Sequence, residues 1–305
     1  MINLTHEEVL KFDKLDILAK QIVEGFIIGL HKSPYHGFSV EFAEHRLYNA
    51  GDSIKEVDWK VFARTDKLYT KKYEEETNLR CQIIIDASSS MYFPTERTEQ
   101  QINKIEFAVM ASAALMYLLK KQRDAVGLSV FTNELNLHTP CKTNAQHHQM
   151  LMYELYKLVT KKSEKQHTAA AKSIHVVADA IPKRSLVFIF SDMFDKNDEE
   201  LFLAIQHLKH NRHEIVLFHT IDRNLELDFN FENRPYQFVD IETGEEIKLQ
   251  PNQIKDYYIE KNKERNLYIK TKCMQYKIDL IEVDINQGYY PILMEYLIKR
   301  NKMKI

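Results

Sequence analysis

The sequence predicts an α/β fold with a doubly wound, mostly parallel sheet and a small N-terminal subdomain of helix and β-structure. From Cys81 onward, short apolar segments alternate with longer stretches of helical periodicity. The run of three isoleucines in "CQIIIDASSSMYF" is typical of a strand that is buried on both faces of a parallel sheet. A chain of 305 residues with 44% hydrophobic content is long enough to bury such a core.

The first predicted domain covers residues 1–80. Thr5 is a candidate helix cap, and apolar residues then recur at helical spacing to about residue 31, which predicts one or two helices. Residues 33–76 combine aromatic and charged side chains with the turn signals "SPYHG" and "NAGD". This part of the chain is predicted to be a small β-rich subdomain.

The second predicted domain covers residues 81–305. Its strands are predicted at 82–86, 125–131, 134–138, 186–191, 214–220 and 278–284. Its helices are predicted at about 101–121, 145–160, 168–180, 197–210, 252–275 and 289–301. Alternation of this kind implies right-handed crossovers and a parallel sheet with helices on both faces. An insertion at about 222–251 contains "IETGEEI", whose turn chemistry predicts a hairpin.

Composition narrows the range of partners and compartments. A formal net charge of -2 gives no overall attraction to nucleic acid, so no nucleic-acid partner is expected. Three widely spaced cysteines indicate a reducing compartment, and the acidic N-terminus is unlike a signal peptide. The apolar run at 107–119 is too short to cross a bilayer and predicts a buried helix. We therefore expect a cytoplasmic protein without direct membrane insertion.

Polar side chains follow two strands of the predicted sheet. Asp86, Ser88 and Ser90 come after the isoleucine run, and Asp192 comes after the strand at 186–191. If the two strands are neighbours, the carboxylates converge, and a cation or shared proton is needed between them. Oxygen ligands of this kind suit a hard divalent cation such as Mg²⁺. The alternative is that Asp86 and the serines only cap the next helix.

The segment "DASSSM" resembles the Asp-x-Ser-x-Ser motif of von Willebrand factor A-type domains, which carry a metal-ion-dependent adhesion site. That site also takes a threonine and an aspartate from later loops, which match Thr168 and Asp192. The resemblance implies that Ser88, Ser90 and Thr168 bind the metal directly or through water, while Asp86 and Asp192 act largely through water. It implies Mg²⁺, with Mn²⁺ or Ca²⁺ as alternatives, and an open position that takes a carboxylate from a protein partner.

The upstream segment is similar to the region that precedes the A-type domain in the family called domain of unknown function fifty-eight. The matching pieces are Glu41-Phe42, Arg46 with Tyr48, Gly51-Asp52, Asp58-Trp59 and Ala63-Arg64. With the metal motif, the likeness spans roughly residues 25 to 220. Members of this uncharacterised family are typically encoded beside MoxR-type AAA+ ATPases. The resemblance implies an adaptor for such an ATPase in chaperone-like assembly or maturation of a client protein.

These features favour a non-enzymatic binding module, and two alternatives stay open. The first is a Mg²⁺-dependent hydrolase that uses Asp86 and Asp192; the nearest further acids are Asp195, Asp198, Glu199 and Glu200. The second is a metal-free scaffold. A glycine-rich phosphate loop is absent from a chain with seven glycines, so any ATP chemistry is expected to come from a partner.

Two further groups of residues have structural or functional interpretations. Trp59 is expected to pack the small subdomain onto the large one while Asp58 pairs with Arg64, or else to contact a partner. Histidines recur in "HTPCKTNAQHH" and "HLKHNRH" without the cysteine pairs or the HExxH pattern of a zinc centre. A solvated surface is therefore the expected place for them.

Overall fold

The structure is a computed structural model, and it describes residues 15–26, 45–47, 64, 69–71, 79–95, 101–160, 170–194, 198–240 and 244–303. The strands, in chain order, are β1 (His45–Leu47), β2 (Tyr69–Lys71), β3 (Arg80–Asp86), β4 (Ala125–Phe131), β5 (Leu135–His138), β6 (Leu186–Ser191), β7 (Glu214–Ile221), β8 (Tyr236–Val239), β9 (Glu246–Leu249) and β10 (Asp279–Asp284). The helices are α1 (15–26), α2 (Lys104–Lys121), α3 (Ala145–Thr160), α4 (Ala170–Ala180), α5 (Asp198–His210), α6 (Pro251–Gln275) and α7 (Tyr290–Met303). Trp59, Asp58, Thr168 and Asp195 lie outside the described residues.

The main sheet has six strands in the order β10-β7-β6-β3-β4-β5. All neighbouring pairs are parallel except β4 and β5, which are antiparallel. The chain builds outward from β3 to β4 and β5 on one side, then returns to build β6, β7 and β10 on the other. The strand order therefore reverses between β3 and β6, and the prediction of a mostly parallel α/β sheet is confirmed.

Helices cover both faces of this sheet. Buried side chains of α1, α2, α3 and α7 share one apolar cluster with Ile83 and Ile85. Those of α4, α5 and α6 share a second cluster with Ile84, on the opposite face. Successive side chains of a strand point to opposite faces, so the isoleucine run supplies both cores at once.

Helix α2 begins three residues later than the sequence pattern alone suggests. The side chain of Asn103 accepts a hydrogen bond from the Glu106 amide at 2.9 Å, and the Glu106 carboxylate accepts one from the Asn103 amide at 3.3 Å. This capping box fixes the first turn. Leu115, in the apolar run predicted to form a buried helix, has no exposed surface.

The insertion after β7 contains the predicted hairpin. Strands β8 and β9 pair antiparallel, with Tyr236 opposite Leu249. A short π-helical turn, Arg223–Leu227, connects β7 to this region. Aromatic rings from the hairpin and its approach pack together, with Phe229 and Tyr258 of α6 only 4.3 Å apart between centroids.

The described part of the N-terminal region contains one helix and one strand pair. Strands β1 and β2 are antiparallel, with His45 opposite Lys71. Helix α1 buries Leu15, Ala19, Val23 and Phe26 in the cluster that also contains α2 and α7. Helix α1 thus packs directly on the core of the main sheet, and the division of the chain at residue 80 stays a prediction.

The expectation that the histidines are solvated is wrong for three of them. His147 and His148 are buried in α3, and their Nε2 atoms donate to the carbonyl oxygens of Val126 at 3.0 Å and Met116 at 3.2 Å. His213 is also buried and accepts a hydrogen bond from the Ser185 amide at 3.1 Å. Each ring satisfies a main-chain group, which is how a polar side chain is accommodated in a core.

Candidate metal site

The C-terminal ends of β3 and β6 bring Asp86 and Asp192 to the same edge of the sheet. The two strands are hydrogen-bonded neighbours, with Ile85 opposite Phe190. Ser191, at the end of β6, donates from its hydroxyl to Asp86 Oδ2 at 2.8 Å. This edge is the point where strand order reverses, the usual place for a binding crevice in an open α/β sheet.

Two serine hydroxyls face each other beside these carboxylates. A short 3-10 turn, Ser89–Tyr92, follows β3 and is anchored by Met91, which is fully buried. Ser88 precedes the turn in an extended conformation, and its amide donates to Asp86 Oδ1 at 2.9 Å. The hydroxyl oxygens of Ser88 and Ser90 are 3.1 Å apart. Ser90 also bonds to the Asp192 carboxylate through its side chain.

A buried lysine, which the sequence did not single out, completes the cluster. Lys104 Nζ lies 2.7 Å from Asp192 Oδ2 and 2.7 Å from Glu226 Oε1, and its side chain is only 2% exposed. Lys104 is the first residue of α2, a position at which the helix dipole favours acidic side chains. A lysine there is unusual, and this was the sequence signal that could have identified it. Glu226 lies in the π-helical turn and has no comparable signal.

The two aspartates differ in pKa because their neighbours differ. Burial, together with the negative charge of Asp192, raises the pKa of Asp86 to about 7, although the hydrogen bonds from Ser88 and Ser191 oppose the shift. Burial would also raise the pKa of Asp192, but the charge and hydrogen bond of Lys104 hold it below its usual value. Burial opposes ionisation of Lys104, yet Asp192 and Glu226 raise its pKa overall.

The turn after β6 is held by hydrogen bonds and presents an exposed aromatic ring. Met193 has a positive φ of 55°, and its carbonyl accepts a hydrogen bond from Arg265. The amide of Phe194 donates to Asp192 Oδ1 at 3.1 Å, and His219 Nε2 donates to the Asp192 carbonyl at 3.1 Å. Phe194 itself is 57% exposed, with the Arg265 guanidinium 5.2 Å from its ring centroid.

Residues 44–267 match the family model described as "Protein of unknown function DUF58". The chain belongs to the DUF58 family. The family thus covers the strand pair β1–β2, the candidate site and the insertion, and it ends within α6.

Curated relatives of this DUF58 chain include an uncharacterized protein of Mycobacterium bovis and another of Mycobacterium tuberculosis. Each is 30% identical over 138 residues, which is 45% of this chain and 42% of the relative. The match thus spans less than half the length of these relatives.

Among solved structures, the conserved hypothetical protein BatB from Bacteroides thetaiotaomicron is similar at a TM-score of 0.44 and 14% identity, covering 74% of this chain and 98% of that one. An aerotolerance-related membrane protein from Bacteroides fragilis gives a TM-score of 0.43 and 17% identity, covering 72% and 99%. Likeness at this level carries no functional argument. Within the described ranges of the DUF58 chain, no helix has the length and apolar character needed to span a bilayer.

The donor set of the DUF58 chain suits a hard cation. Among the described residues, no three histidine, cysteine or acidic side chains are arranged to hold a metal ion, so a site here would depend on its hydroxyls. Neighbouring ligands of an octahedral Mg²⁺ with bonds of about 2.1 Å are about 3.0 Å apart. The 3.1 Å separation of the Ser88 and Ser90 hydroxyls fits that spacing. Asp192 Oδ2, by contrast, already contacts Lys104.

The structure describes four of the five residues that the sequence singled out. Asp86, Ser88, Ser90 and Asp192 are brought together, and Thr168 lies outside the described residues. The other acids considered for hydrolysis are placed differently. Asp198 pairs with Arg265 at 3.2 Å, while Glu199 and Glu200 are exposed in the first turn of α5. Acids in that position are common because they complement the helix dipole.

Proposed function

We propose that this chain is a non-enzymatic, Mg²⁺-dependent protein-binding module with a von Willebrand factor A-like fold. The observation that carries the proposal is the convergence of two carboxylates and two hydroxyls at the reversal of strand order. The Asp-x-Ser-x-Ser resemblance supports the same ligand set, with Thr168 as its further member. The proposed place of action is the cytoplasm, as an adaptor for a MoxR-type AAA+ ATPase in chaperone-like assembly or maturation of a client protein.

In this proposal each residue has a defined part. Ser88 and Ser90 present their hydroxyls to the metal, and Asp86 and Asp192 supply negative charge and hold its water ligands. The metal, when bound, supplies a hard cationic position that can accept a carboxylate from a partner protein. Ser191 and the Ser88 amide orient Asp86, while the Phe194 amide orients Asp192.

One observation favours a second candidate, the metal-free scaffold. The ammonium of Lys104 already neutralises Asp192 at 2.7 Å. The repulsion between Asp86 and Asp192 is therefore relieved in part without a divalent ion. The hydrolase alternative has less support, because Asp198 is engaged by Arg265 and the neighbouring glutamates are exposed.

The test is thermal unfolding of the full chain with Mg²⁺ and with EDTA. Binding to the folded state stabilises it by about 1.4 kcal/mol at ten times Kd, which raises the melting temperature by a few degrees. Asp86→Asn should abolish the rise. Asp124→Asn is the matched control, because Asp124 is a buried carboxylate that accepts a hydrogen bond from Tyr296 at 2.8 Å at the opposite edge of the sheet.

Calorimetry with a purified MoxR-type ATPase tests the adaptor role. Chelation also removes metal from the ATPase, so the decisive comparison keeps Mg²⁺ present and uses Ser88→Ala with Ser90→Ala. Loss of binding in that variant is the expected result. Undiminished binding would contradict a metal-dependent contact, and a wild-type chain with no Mg²⁺ shift would favour the scaffold.

A further inference from the structure

Lys104 is the most deeply buried cation of the candidate site, and it contacts one of the proposed metal residues directly. We propose that Lys104 is a resident cation that competes with a divalent metal ion for Asp192 and thereby sets the metal affinity of the site. The inference rests on the proposed metal-binding function and adds a residue that neither the motif nor the resemblance contains.

The contacts of Lys104 identify its role at this position. Its side chain is 2% exposed, and its ammonium lies 2.7 Å from one oxygen each of Asp192 and Glu226. A buried ammonium is tolerated only when it is paired and hydrogen-bonded. Lys104 therefore cannot simply turn to solvent when another cation enters, and it must stay close to one of these two carboxylates.

A divalent ion beside Ser88 and Ser90 would use the negative charge that Lys104 now neutralises. The Asp192 carboxylate is hydrogen-bonded to Ser90 as well as to Lys104, so it contacts both one of the two hydroxyls and the ammonium. Two positive groups that share one carboxylate repel each other, and the repulsion is strong in a buried site because the local dielectric constant is low. Removing the positive charge of Lys104 should therefore tighten metal binding.

Glu226 is held in position to receive the ammonium. Its Oε2 accepts a hydrogen bond from the Asp222 amide at 2.7 Å, and its main-chain oxygen accepts one from Asn262 at 2.6 Å. When Asp192 turns towards a metal ion, Lys104 keeps Glu226 as its partner. Removing the charge of Glu226 should have the opposite effect from removing Lys104, because the ammonium then depends on Asp192 alone.

The experiment measures the dissociation constant of Mg²⁺ by isothermal titration calorimetry on the full chain. Lys104→Met should lower the dissociation constant at least tenfold, and Glu226→Gln should raise it at least threefold. Lys104→Gln is a second variant, since its amide can still donate to Asp192, and it should also tighten binding. Circular dichroism at the titration temperature establishes that each variant is folded.

Lys299→Met is the matched control. The Lys299 side chain is 6% exposed and lies between Glu214 and Asp279, at the starts of β7 and β10. It is thus a buried lysine between two carboxylates at the opposite edge of the sheet. Its replacement should destabilise the fold as replacement of Lys104 does, yet leave the Mg²⁺ dissociation constant unchanged.

The outcomes separate this inference from the proposed function. Equal dissociation constants for the wild type and both Lys104 variants would overturn the role of Lys104 and leave the metal site standing. Tight binding by Lys104→Met without binding by the wild type would support the role of Lys104 and overturn Mg²⁺ dependence in the natural chain. Shifts in the same direction for Lys104→Met and Glu226→Gln would overturn the competition, and no binding in any variant would overturn both ideas.

Discussion

Asp86 and Asp192 are both buried, and they differ in the groups that contact their carboxylates. Asp192 faces the ammonium of Lys104, whereas Asp86 faces hydroxyls and an amide. Hydrogen bonds from neutral groups stabilise a carboxylate less than a full positive charge does in a buried site. Among the described residues, Asp192 is therefore the carboxylate with a positive partner, whereas Asp86, beside the two hydroxyls proposed as metal ligands, is held by neutral donors.

His148 gives a pH prediction at the scale of one residue. Burial, followed by the charge of Lys120, lowers the pKa of His148 below 6.5 in the folded chain. The unfolded chain binds the proton more readily, so this contribution to stability is present above pH 6.5 and is lost as the pH falls below it. Its slope reaches about 1.4 kcal/mol per pH unit between the folded and unfolded pKa values.

His148→Gln removes this titration and keeps an N–H group that can donate to the Met116 carbonyl. The free energy of unfolding in urea, measured at pH 7.5 and pH 5, should fall more in the wild type than in the variant. His210→Gln replaces an exposed histidine and serves as the control. Identical losses in the wild type and in His148→Gln would contradict the assignment of His148 as a buried neutral histidine.

At the scale of elements, α2 is the helix that joins the core to the candidate site. Its apolar run fills the core, and its first residue supplies the ammonium that pairs with Asp192. Asn103 and Glu106 fix where the helix starts, and so they fix where the Lys104 side chain begins. A change in the cap would therefore alter the position of Lys104 in the site as well as the stability of the helix.

Leu115 provides the stability test for this helix. Leu115→Ala should cost about 2–5 kcal/mol, because it removes a fully buried side chain and leaves a cavity. Leu203→Ala is the control: Leu203 also lies in a helix, but 53% of it is exposed, so the cost should stay near 0.5 kcal/mol. A loss below about 1 kcal/mol for Leu115→Ala in urea unfolding would contradict its packing in the core.

Elements with a distinctive apolar run were predictable from the sequence, because run length and residue type are local properties. The three isoleucines of β3 form a short β-branched run typical of a strand, whereas the apolar run of α2 is too long for a strand. The hairpin β8–β9 was predictable from its turn chemistry. The buried histidines were not, because an imidazole is polar and becomes a core residue only when a distant carbonyl, such as that of Val126, accepts a hydrogen bond from its N–H group.

At the scale of the whole molecule, the same distinction applies to the candidate site. The convergence of Asp86 and Asp192 could be predicted because each lies at the end of a strand, and the C-terminal ends of parallel strands lie at one edge of the sheet. The participation of Lys104 and Glu226 depends on contacts between residues 122 positions apart in the sequence, which no local pattern encodes. The convergence of the two carboxylates was therefore predictable, whereas the lysine that neutralises one of them was not.

Helix α1 packs on the main sheet, and this packing bears on whether the two unfold as one cooperative unit. Its buried face, which includes Val23, lies in the same apolar cluster as α2 and α7, and Phe26 contacts the ring of Tyr290 with centroids 5.3 Å apart. Cooperative units follow shared buried contacts. We therefore expect α1 to unfold together with the main sheet, even though the sequence places it before the predicted boundary at residue 80.

Val23→Ala tests this expectation. Loss of two buried methyl groups should lower the free energy of global unfolding by about 2 kcal/mol, in a single transition seen equally by far-ultraviolet and near-ultraviolet circular dichroism. Ile17 lies in the same helix and is 54% exposed, so Ile17→Ala should change the free energy of unfolding by less than about 0.5 kcal/mol. In the wild type, amide hydrogens of α1 should exchange as slowly as those of β3. If Val23→Ala instead accelerates exchange in α1 alone and leaves β3 and the global transition untouched, α1 is a separate unit docked on the sheet.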